Sequence, residues 1–265
     1  DPITDDQARL ARRAYSAATS GRDPEVGRIL RALDAYGPSL VESTAILLHG
    51  DHGWQLGERA GWRKNANWEN AVRVPFILAV PWLNGTANTR ADELAELVDV
   101  MPTLAELAGV EVPTTKLGDR LAPPEGTSLV PALVAAAAGG AATEERESAR
   151  TPGKAGKVKS AAFSQYPRKP RDETEAWAHN SIDHDDPSLF TFMGYSIRVD
   201  DWRLTDWYRW DGESLRANFS AIFATELYDW RDANVSDVDY DSFENENVAD
   251  NPDYAEVRTF LSPCL

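Results

Sequence analysis

The chain has few of the residues that would fix it covalently or place it in a membrane. It contains a single cysteine, Cys264, so it cannot close an internal disulfide. No run approaches the ~18 consecutive apolar residues of a membrane-spanning helix, and no basic-then-apolar signal opens the chain. Basic residues are also in the minority, since 27 Lys and Arg against 43 Asp and Glu give a net charge of −16. Such a surface repels phosphate backbones, so we expect neither nucleic acid nor a membrane as a partner.

The rest of the composition is that of a globular protein. Hydrophobic residues make up 42% and charged residues 26% of the 265 residues, which suffice for one large or two small domains. The chain begins at Asp1 rather than Met, which predicts a processed product or part of a longer protein. Three glycosylation sequons begin at Asn84, Asn218 and Asn234 and are compatible with a lysosomal or secreted protein.

The first half of the chain predicts helices that alternate with buried strands. Periodicity favours helices over residues 4–19, 23–35 and 97–109, the last ending at Gly109. The apolar runs at 43–48 and 74–80 are typical of buried strands. This alternation predicts a parallel sheet with helices on its faces.

The second half has a different character. Residues 134–160 are rich in Ala, Gly, Lys and Glu and predict an exposed, protease-sensitive loop. Strands are predicted at 161–166 and, antiparallel, within 192–230, where the aromatics pack the sheet rather than bind sugar: Trp202, Trp207, Tyr208 and Trp210. A short helix follows at 252–261. The predicted parts are 1–133, a loop at 134–160, and an antiparallel subdomain at 161–265.

The residues best suited to chemistry follow the first predicted strand. Asp51 and His52 stand at its carboxyl end, and Lys64 follows about a dozen residues later. A carboxylate and an imidazole can bind a divalent cation, and an ammonium can stabilise a developing sulfate or phosphate charge. By spacing alone, however, an Asp-His pair in a loop is more often a turn with a solvated imidazole, and both interpretations remain open.

The surrounding sequence resembles a known family. Residues 50–58 read Gly-Asp-His-Gly-Trp-Gln-Leu-Gly-Glu, followed by Trp62, Lys64 and Arg73-Val-Pro-Phe-Ile. This pattern is similar to the second signature of the sulfatases, and its Asp-His pair resembles the iduronate-2-sulfatase branch. Ser164-Gln-Tyr-Pro-Arg168 and Met193-Gly-Tyr-Ser-Ile-Arg198 are similar to narrower markers of that branch. The resemblance covers nearly the whole chain and is weakest at 134–160 and 230–265.

The resemblance implies a fold, a reaction and a set of site residues. The fold would be the α/β alkaline-phosphatase-like fold, here the C-terminal portion of its main sheet, with a smaller antiparallel α+β subdomain. The reaction would remove a 2-O-sulfate from uronic acid residues of glycosaminoglycans. Asp51 and His52 match calcium ligands, Lys64 matches a lysine that contacts the sulfate, and His52 and Lys64 would be catalytic. Trp54 would line the pocket, and Arg168 would meet a sugar carboxylate or form a structural ion pair.

The departures from the family are equally specific. Sulfatases attack with a formylglycine made within Cys/Ser-x-Pro-x-Arg, and these 265 residues contain no such motif. We therefore expect the nucleophile and the remaining calcium ligands on an N-terminal half of the same protein. Two alternatives stay open: a non-catalytic homologue that binds acidic sugar or a partner chain, and another metal-dependent esterase of the superfamily, such as a phosphodiesterase.

Overall fold

The computed structural model describes residues 3–117, 120–122, 124–138, 158–169, 185–231 and 243–265. The helices in these ranges are α1 (Asp5–Asp34), α2 (Pro38–Glu42), α3 (Glu69–Val72), α4 (Val100–Ala108), α5 (Val130–Ala137) and α6 (Ala255–Leu261). The strands are β1 (Ile46–His49), β2 (Gln55–Leu56), β3 (Trp62–Arg63), β4 (Phe76–Ala79), β5 (Thr115–Leu117), β6 (Arg120–Ala122), β7 (Ala162–Arg168), β8 (Phe192–Arg198), β9 (Trp202–Asp211) and β10 (Arg216–Asp229).

Helix α1 is one continuous helix of 30 residues, so the prediction of two helices was wrong. It begins with a capping box, in which the backbone N–H of Gln7 donates to Thr4 Oγ1 at 3.3 Å and that of Thr4 donates to Gln7 Oε1 at 2.8 Å. Pro24 lies inside the helix. It removes a single backbone donor, and the helical turns on both sides carry the helix across it.

Strands β1 and β4 confirm the two predicted strands, but their pairing is antiparallel rather than parallel. Ile46 faces Ala79 and His49 faces Phe76 in the register. A parallel pair needs a crossover that returns the chain to the other end of the sheet. Residues 50–75 contain the β2–β3 hairpin and the four-residue α3 instead, so β4 starts at the end where β1 stops.

The predicted antiparallel strands of the second half are confirmed. They form one sheet in the order β10-β9-β8-β7, with every neighbouring pair antiparallel. Its outer face is apolar, and Ile197, Leu204 and Leu227 pack there against Leu261 of α6. The opposite face, called the inner face below, carries aromatic and charged side chains: Tyr166, Arg168, Gly194, Arg203, Trp207 and Glu226. Trp202, Trp207 and Tyr208 are buried, as expected for packing residues.

The two remaining helix predictions are confirmed. A 3₁₀ turn at 97–99 leads into α4, which ends at Gly109 with a φ of 66°, a conformation that glycine adopts without steric cost. A second 3₁₀ turn at 252–254 leads into α6. Along the described part of the chain, no helix combines the length and the apolarity that a bilayer crossing requires.

The ends of the predicted 134–160 loop are more structured than expected, and residues 139–157 lie outside the described residues. Helix α5 continues to Ala137 at one end. At the other end, the ammonium of Lys159 lies 2.5 Å from Glu96 and 2.7 Å from Asp99, which is fully buried. A lysine at 159 is thus an internal partner for two carboxylates rather than a solvated loop charge.

Candidate active site

The loop that carries Asp51 and His52 is pressed against the backbone of α3. The N–H of Gly50 donates to the carbonyl of Pro75 at 3.1 Å, and the N–H of Gly53 donates to the carbonyl of Ala71 at 2.8 Å. A Cβ at position 53 would lie 2.0 Å from the carbonyl oxygen of Asn70. Only glycine permits this approach, which fixes the direction in which the preceding Asp51-His52 pair points.

Asp51 presents an open carboxylate beside the imidazole of His52. The Asp51 side chain is 87% exposed, and its Oδ2 lies 3.6 Å from His52 Nε2. Its own backbone N–H, the charge of His52 and the charge of Lys64 hold the pKa of Asp51 below 3.8. The carboxylate is therefore ionised at neutral pH and available to a cation.

His52 has a tautomer that follows from its neighbour. Its Nδ1 lies 2.8 Å from the carbonyl oxygen of Gly53. A carbonyl can only accept, so Nδ1 carries a proton, and in the neutral ring Nε2 holds the lone pair. That lone pair is on the Asp51 side of the ring, where it can ligate a cation or accept a proton.

Lys64 follows the β2–β3 hairpin, in which Gln55 pairs with Arg63 and Leu56 with Trp62. Its charge adds to the effects of the backbone and of His52 that lower the pKa of the Asp51 carboxyl. The residue before it, Arg63, has a φ of 71°, which is unusual for a non-glycine residue. The structure thus places Asp51 beside His52, and Lys64 follows them after a strained hairpin end.

A stack of aromatic rings connects α1 to the site. The sequence predicted Trp54 as part of the pocket but not its partner in α1, Tyr15. Trp54 is stacked between His52 and Tyr15, at ring-centroid distances of 6.0 and 6.1 Å. Arg12, one helical turn before Tyr15, donates from Nε to the carbonyl of Leu56 at 2.8 Å. The only signal of these α1 residues was their three-residue spacing on one helix face.

Arg168, at the end of β7, reaches the residue next to Lys64. Its Nη1 donates to the carbonyl of Asn65 at 2.9 Å, and its guanidinium lies 5.5 Å from the ring of Tyr166 and 5.4 Å from that of Trp207. The side chain is only 4% exposed, and burial lowers the pKa of the guanidinium. The charge of Glu226 opposes this lowering of the pKa, so carboxylate binding and a structural ion pair both stay predictions for Arg168.

A buried charge cluster joins α3 to the inner face of the C-terminal sheet, and no sequence pattern indicated it. Arg203 pairs with Glu69 and, at 2.6 Å, with Glu244, while the backbone N–H of Glu69 donates to Glu244 at 2.7 Å. Burial raises the pKa of Glu69, but Arg203, Arg198 and Arg73 outweigh it and hold that pKa below 4.5. Burial and the charge of Glu69 raise the pKa of Glu244. Burial also lowers the pKa of Arg198 to about 10.

The donor set at Asp51 fits part of a calcium site. Calcium takes six to eight ligands, mostly oxygen. Asp51 offers an ionised carboxylate and His52 one lone pair, and the described residues contain no cluster of three or more acidic, His or Cys side chains that could hold an ion. The two residues would therefore supply only one side of a coordination shell.

Known proteins share sequence similarity with this chain along nearly its whole length. Residues 1–110 match the family model named Sulfatase. Over these residues the chain is similar to the sulfatases. It is 34% identical to mouse iduronate 2-sulfatase and 33% identical to the human enzyme, each alignment covering 99% of the chain and 48% of the relative. The chain thus spans about half the length of these sulfatases.

Solved structures show the same fold. A putative sulfatase from Bacteroides thetaiotaomicron superposes with a TM-score of 0.65 at 20% identity, covering 98% of this chain and 43% of that one. The phosphonate monoester hydrolase of Agrobacterium radiobacter gives a TM-score of 0.63 at 22% identity, covering 98% and 41%. These similarities confirm the expected α/β fold of the sulfatase type.

Proposed function

We propose that this chain is the C-terminal part of a sulfuric ester hydrolase that removes a 2-O-sulfate from uronic acid residues of glycosaminoglycans. The observation that carries the proposal is the alignment of 99% of this chain with iduronate 2-sulfatases, and the contact between an ionised Asp51 and His52 supports it. Among the alternatives, the similarity to a phosphonate monoester hydrolase concerns the fold alone, so it does not favour phosphate ester chemistry.

Each site residue has a role that its surroundings support. The Lys64 ammonium would bind the sulfate oxygens and stabilise the charge that builds on them. His52 Nε2, whose lone pair faces Asp51, would ligate the ion or hold a proton near the ester. Trp54 is 38% exposed and would form an apolar wall beside the sugar ring. For Arg168, the resemblance implies a role in binding the uronic carboxylate, which competes with the role inferred below from its contact with Asn65.

Asp51 and His52 would hold one calcium ion, with its other ligands outside these residues. When bound, such an ion polarises a sulfate oxygen and neutralises charge in the transition state. An ionised aspartate beside an imidazole whose Nδ1–H is already occupied by Gly53 supports this assignment.

The nucleophile would come from the other half of the sulfatase domain. These 265 residues lack Cys/Ser-x-Pro-x-Arg, and they align with only 48% of the relatives' length. Both strands of the β1–β4 pair leave apolar side chains open, with Leu48 44% and Ile77 58% exposed. Nearby, a cavity of about 670 Å³ is lined by Trp82, Leu104 and Leu107, among others. Such surface suits the remaining half of the domain.

The route of the protein is a further part of the proposal. Asn84 and Asn218, which begin two of the three sequons, are exposed. Exposed acceptors support passage through the secretory pathway to a lysosome or the outside of the cell.

The test is an assay on a 2-sulfated uronide. We expect no turnover by the 265 residues alone, and turnover when they are joined to the remaining half. In that longer protein, Lys64→Ala should lower kcat by about 100- to 1,000-fold, as expected for loss of a charge-stabilising donor. Turnover by the isolated chain would place the nucleophile within it. Uronide binding without turnover by the longer protein would favour the non-catalytic homologue, which the missing motif alone also fits.

A further inference from the structure

The segment that follows Lys64 is fixed to the inner face of the C-terminal sheet at almost every residue. Arg168 donates to the Asn65 carbonyl at 2.9 Å, and Asn67 Nδ2 donates to the Gly194 carbonyl at 3.1 Å. Trp68 Nε1 donates to the Glu226 carboxylate at 3.0 Å. The backbone N–H of Glu69 ends the series on Glu244 at 2.7 Å. Residues of the C-terminal sheet, which lie outside the motif, therefore hold the segment next to Lys64 in place.

Arg168 is the anchor nearest to Lys64, and its surroundings are unusual for a cation. It is buried against two aromatic rings, and within the described part of the chain its Nε has no hydrogen-bond partner. A buried charge normally pairs with an opposite charge or a full set of acceptors, because removing it from water is costly. Among the residues that the structure describes, the guanidinium donates to a neutral backbone carbonyl, that of Asn65, and the charge of Glu226 opposes the lowering of its pKa by burial.

The other side of Lys64 is strained. Arg63 has a φ of 71°, a backbone conformation that is unfavourable for a residue with a Cβ. A strained conformation persists only where its neighbours hold it. Lys64 therefore lies between Arg63, whose backbone is strained, and the carbonyl of Asn65, which Arg168 holds in place.

We infer that Arg168 is a positioning residue, which sets the place of the Lys64 ammonium by holding the carbonyl of Asn65. The inference rests on the proposed function in so far as Lys64 binds the sulfate. It differs from the carboxylate-binding role considered above, because a positioning residue affects every sulfate ester equally. A carboxylate-binding residue affects only substrates that carry a carboxylate.

The experiment compares two substrates in the longer protein that carries both halves of the domain: a 2-sulfated uronide and an aryl sulfate without a carboxylate. Arg168→Gln should lower kcat by about 10- to 100-fold on both, with KM for the uronide little changed. Lys159→Gln is the matched control, since the Lys159 side chain is also a largely enclosed cation, 14% exposed, but contacts Glu96 and Asp99 instead. It should lower the melting temperature and leave kcat as in the wild type.

A second readout does not depend on turnover. Lys64 is half-buried, so release of its loop should raise the rate at which its amine is reductively methylated, as followed by peptide mass spectrometry. We expect a several-fold increase in Arg168→Gln and none in Lys159→Gln. Arg168→Lys keeps the charge and most of the buried stem, and it replaces the Gln variant if that variant does not fold. It should show the same two effects to a smaller extent.

The outcomes separate the inference from the proposed function. Loss of kcat on the uronide alone would overturn positioning in favour of carboxylate binding. Equal losses in the Arg168 and Lys159 variants would show a merely structural effect and overturn it as well. A wild-type protein inactive on both substrates would contradict the proposed function, while faster methylation of Lys64 in Arg168→Gln would still support positioning. An unchanged methylation rate would overturn it.

Discussion

Trp54 stacks on Tyr15 of α1, with the two ring centroids 6.1 Å apart and the planes inclined by 23°. The contact connects a long surface helix to the wall of the candidate pocket. Aromatic pairs contribute about 0.5–1.5 kcal/mol beyond the burial of their surface. Tyr15 thus helps to decide how firmly Trp54 is held beside His52.

Tyr15→Ala should therefore raise KM for a 2-sulfated uronide about 2- to 10-fold in the longer protein, with kcat little changed. Steady-state kinetics provide the measurement. Tyr36→Ala is the matched control, because Tyr36 follows the same helix and is 80% exposed. Equal KM values for the wild type and Tyr15→Ala would show that the stack does not support the pocket.

Removal of Arg203 should unfold the join between α3 and the C-terminal sheet. Arg203→Met leaves Glu69 and Glu244 buried without their common partner. We expect a loss of about 3–5 kcal/mol in the free energy of unfolding, measured by urea denaturation. Arg28→Met, which breaks an exposed pair with Glu25, should cost no more than about 1 kcal/mol. Similar losses in the two variants would contradict the importance of the buried cluster.

Acid should weaken the same cluster through Glu69. Its folded pKa is held below 4.5, so as pH falls from 4.5 the unfolded chain takes up a proton more readily than the folded one. The contribution of Glu69 is thus present above pH 4.5 and is lost as pH falls through the lower folded pKa. The measurement is the urea midpoint of unfolding between about pH 3 and 7. As pH is lowered, this midpoint should fall more steeply for the wild type than for Glu69→Gln. Parallel curves would mean that Glu69 contributes no pH dependence.

Calcium should stabilise the longer protein through Asp51. A ligand at about 100 times its Kd adds roughly 2.7 kcal/mol to the stability of the state that binds it. Calcium should therefore raise the melting temperature of the wild type but not that of Asp51→Asn. Asp23→Asn, an exposed aspartate in α1, should keep the full shift. A shift that survives in Asp51→Asn would remove Asp51 from the set of ligands.

The open face of β4 should make the isolated chain associate with itself. Ile77→Lys places a charge where an apolar side chain is 58% exposed, so we expect less association in size-exclusion chromatography with light scattering. The same change should weaken binding of the other half of the domain. Leu215→Lys, at a site 50% exposed in the turn between β9 and β10, should alter neither. Identical behaviour of the two variants would place the associating surface elsewhere.

The local sequence pattern predicted the helices and strands better than it predicted how the strands pair. Periodicity identified the helix that ends at Gly109, the strands within 192–230 and the short helix at 252–261, because burial imposes its period directly on the sequence. The direction of the β1–β4 pair was wrong, since direction depends on the path of the connecting residues rather than on the strands themselves.

In the candidate site, too, the residues close together in sequence could be predicted, and the contacts between distant residues could not. Asp51, His52 and Lys64 lie within 14 residues of chain, counted inclusively from 51 to 64, so a single motif could reveal them. The partners of the adjoining segment could not be read locally, because Glu69 and Arg203 are 134 residues apart. A buried arginine in a strand looks the same in sequence whether it holds a substrate or a backbone carbonyl.

The anchors of the segment after Lys64 are synthesised much later than the segment itself. They lie 103 to 175 residues further along the chain, from Arg168 to Glu244. At about 5–20 residues per second, the ribosome delivers the last of them roughly 9–35 seconds after the segment itself. All residues of the Asp51–Lys64 motif therefore leave the ribosome before the strands that hold the adjoining segment have been synthesised. A nascent chain that stops short of Glu244 carries every residue of the motif and never receives the contacts that hold it in place.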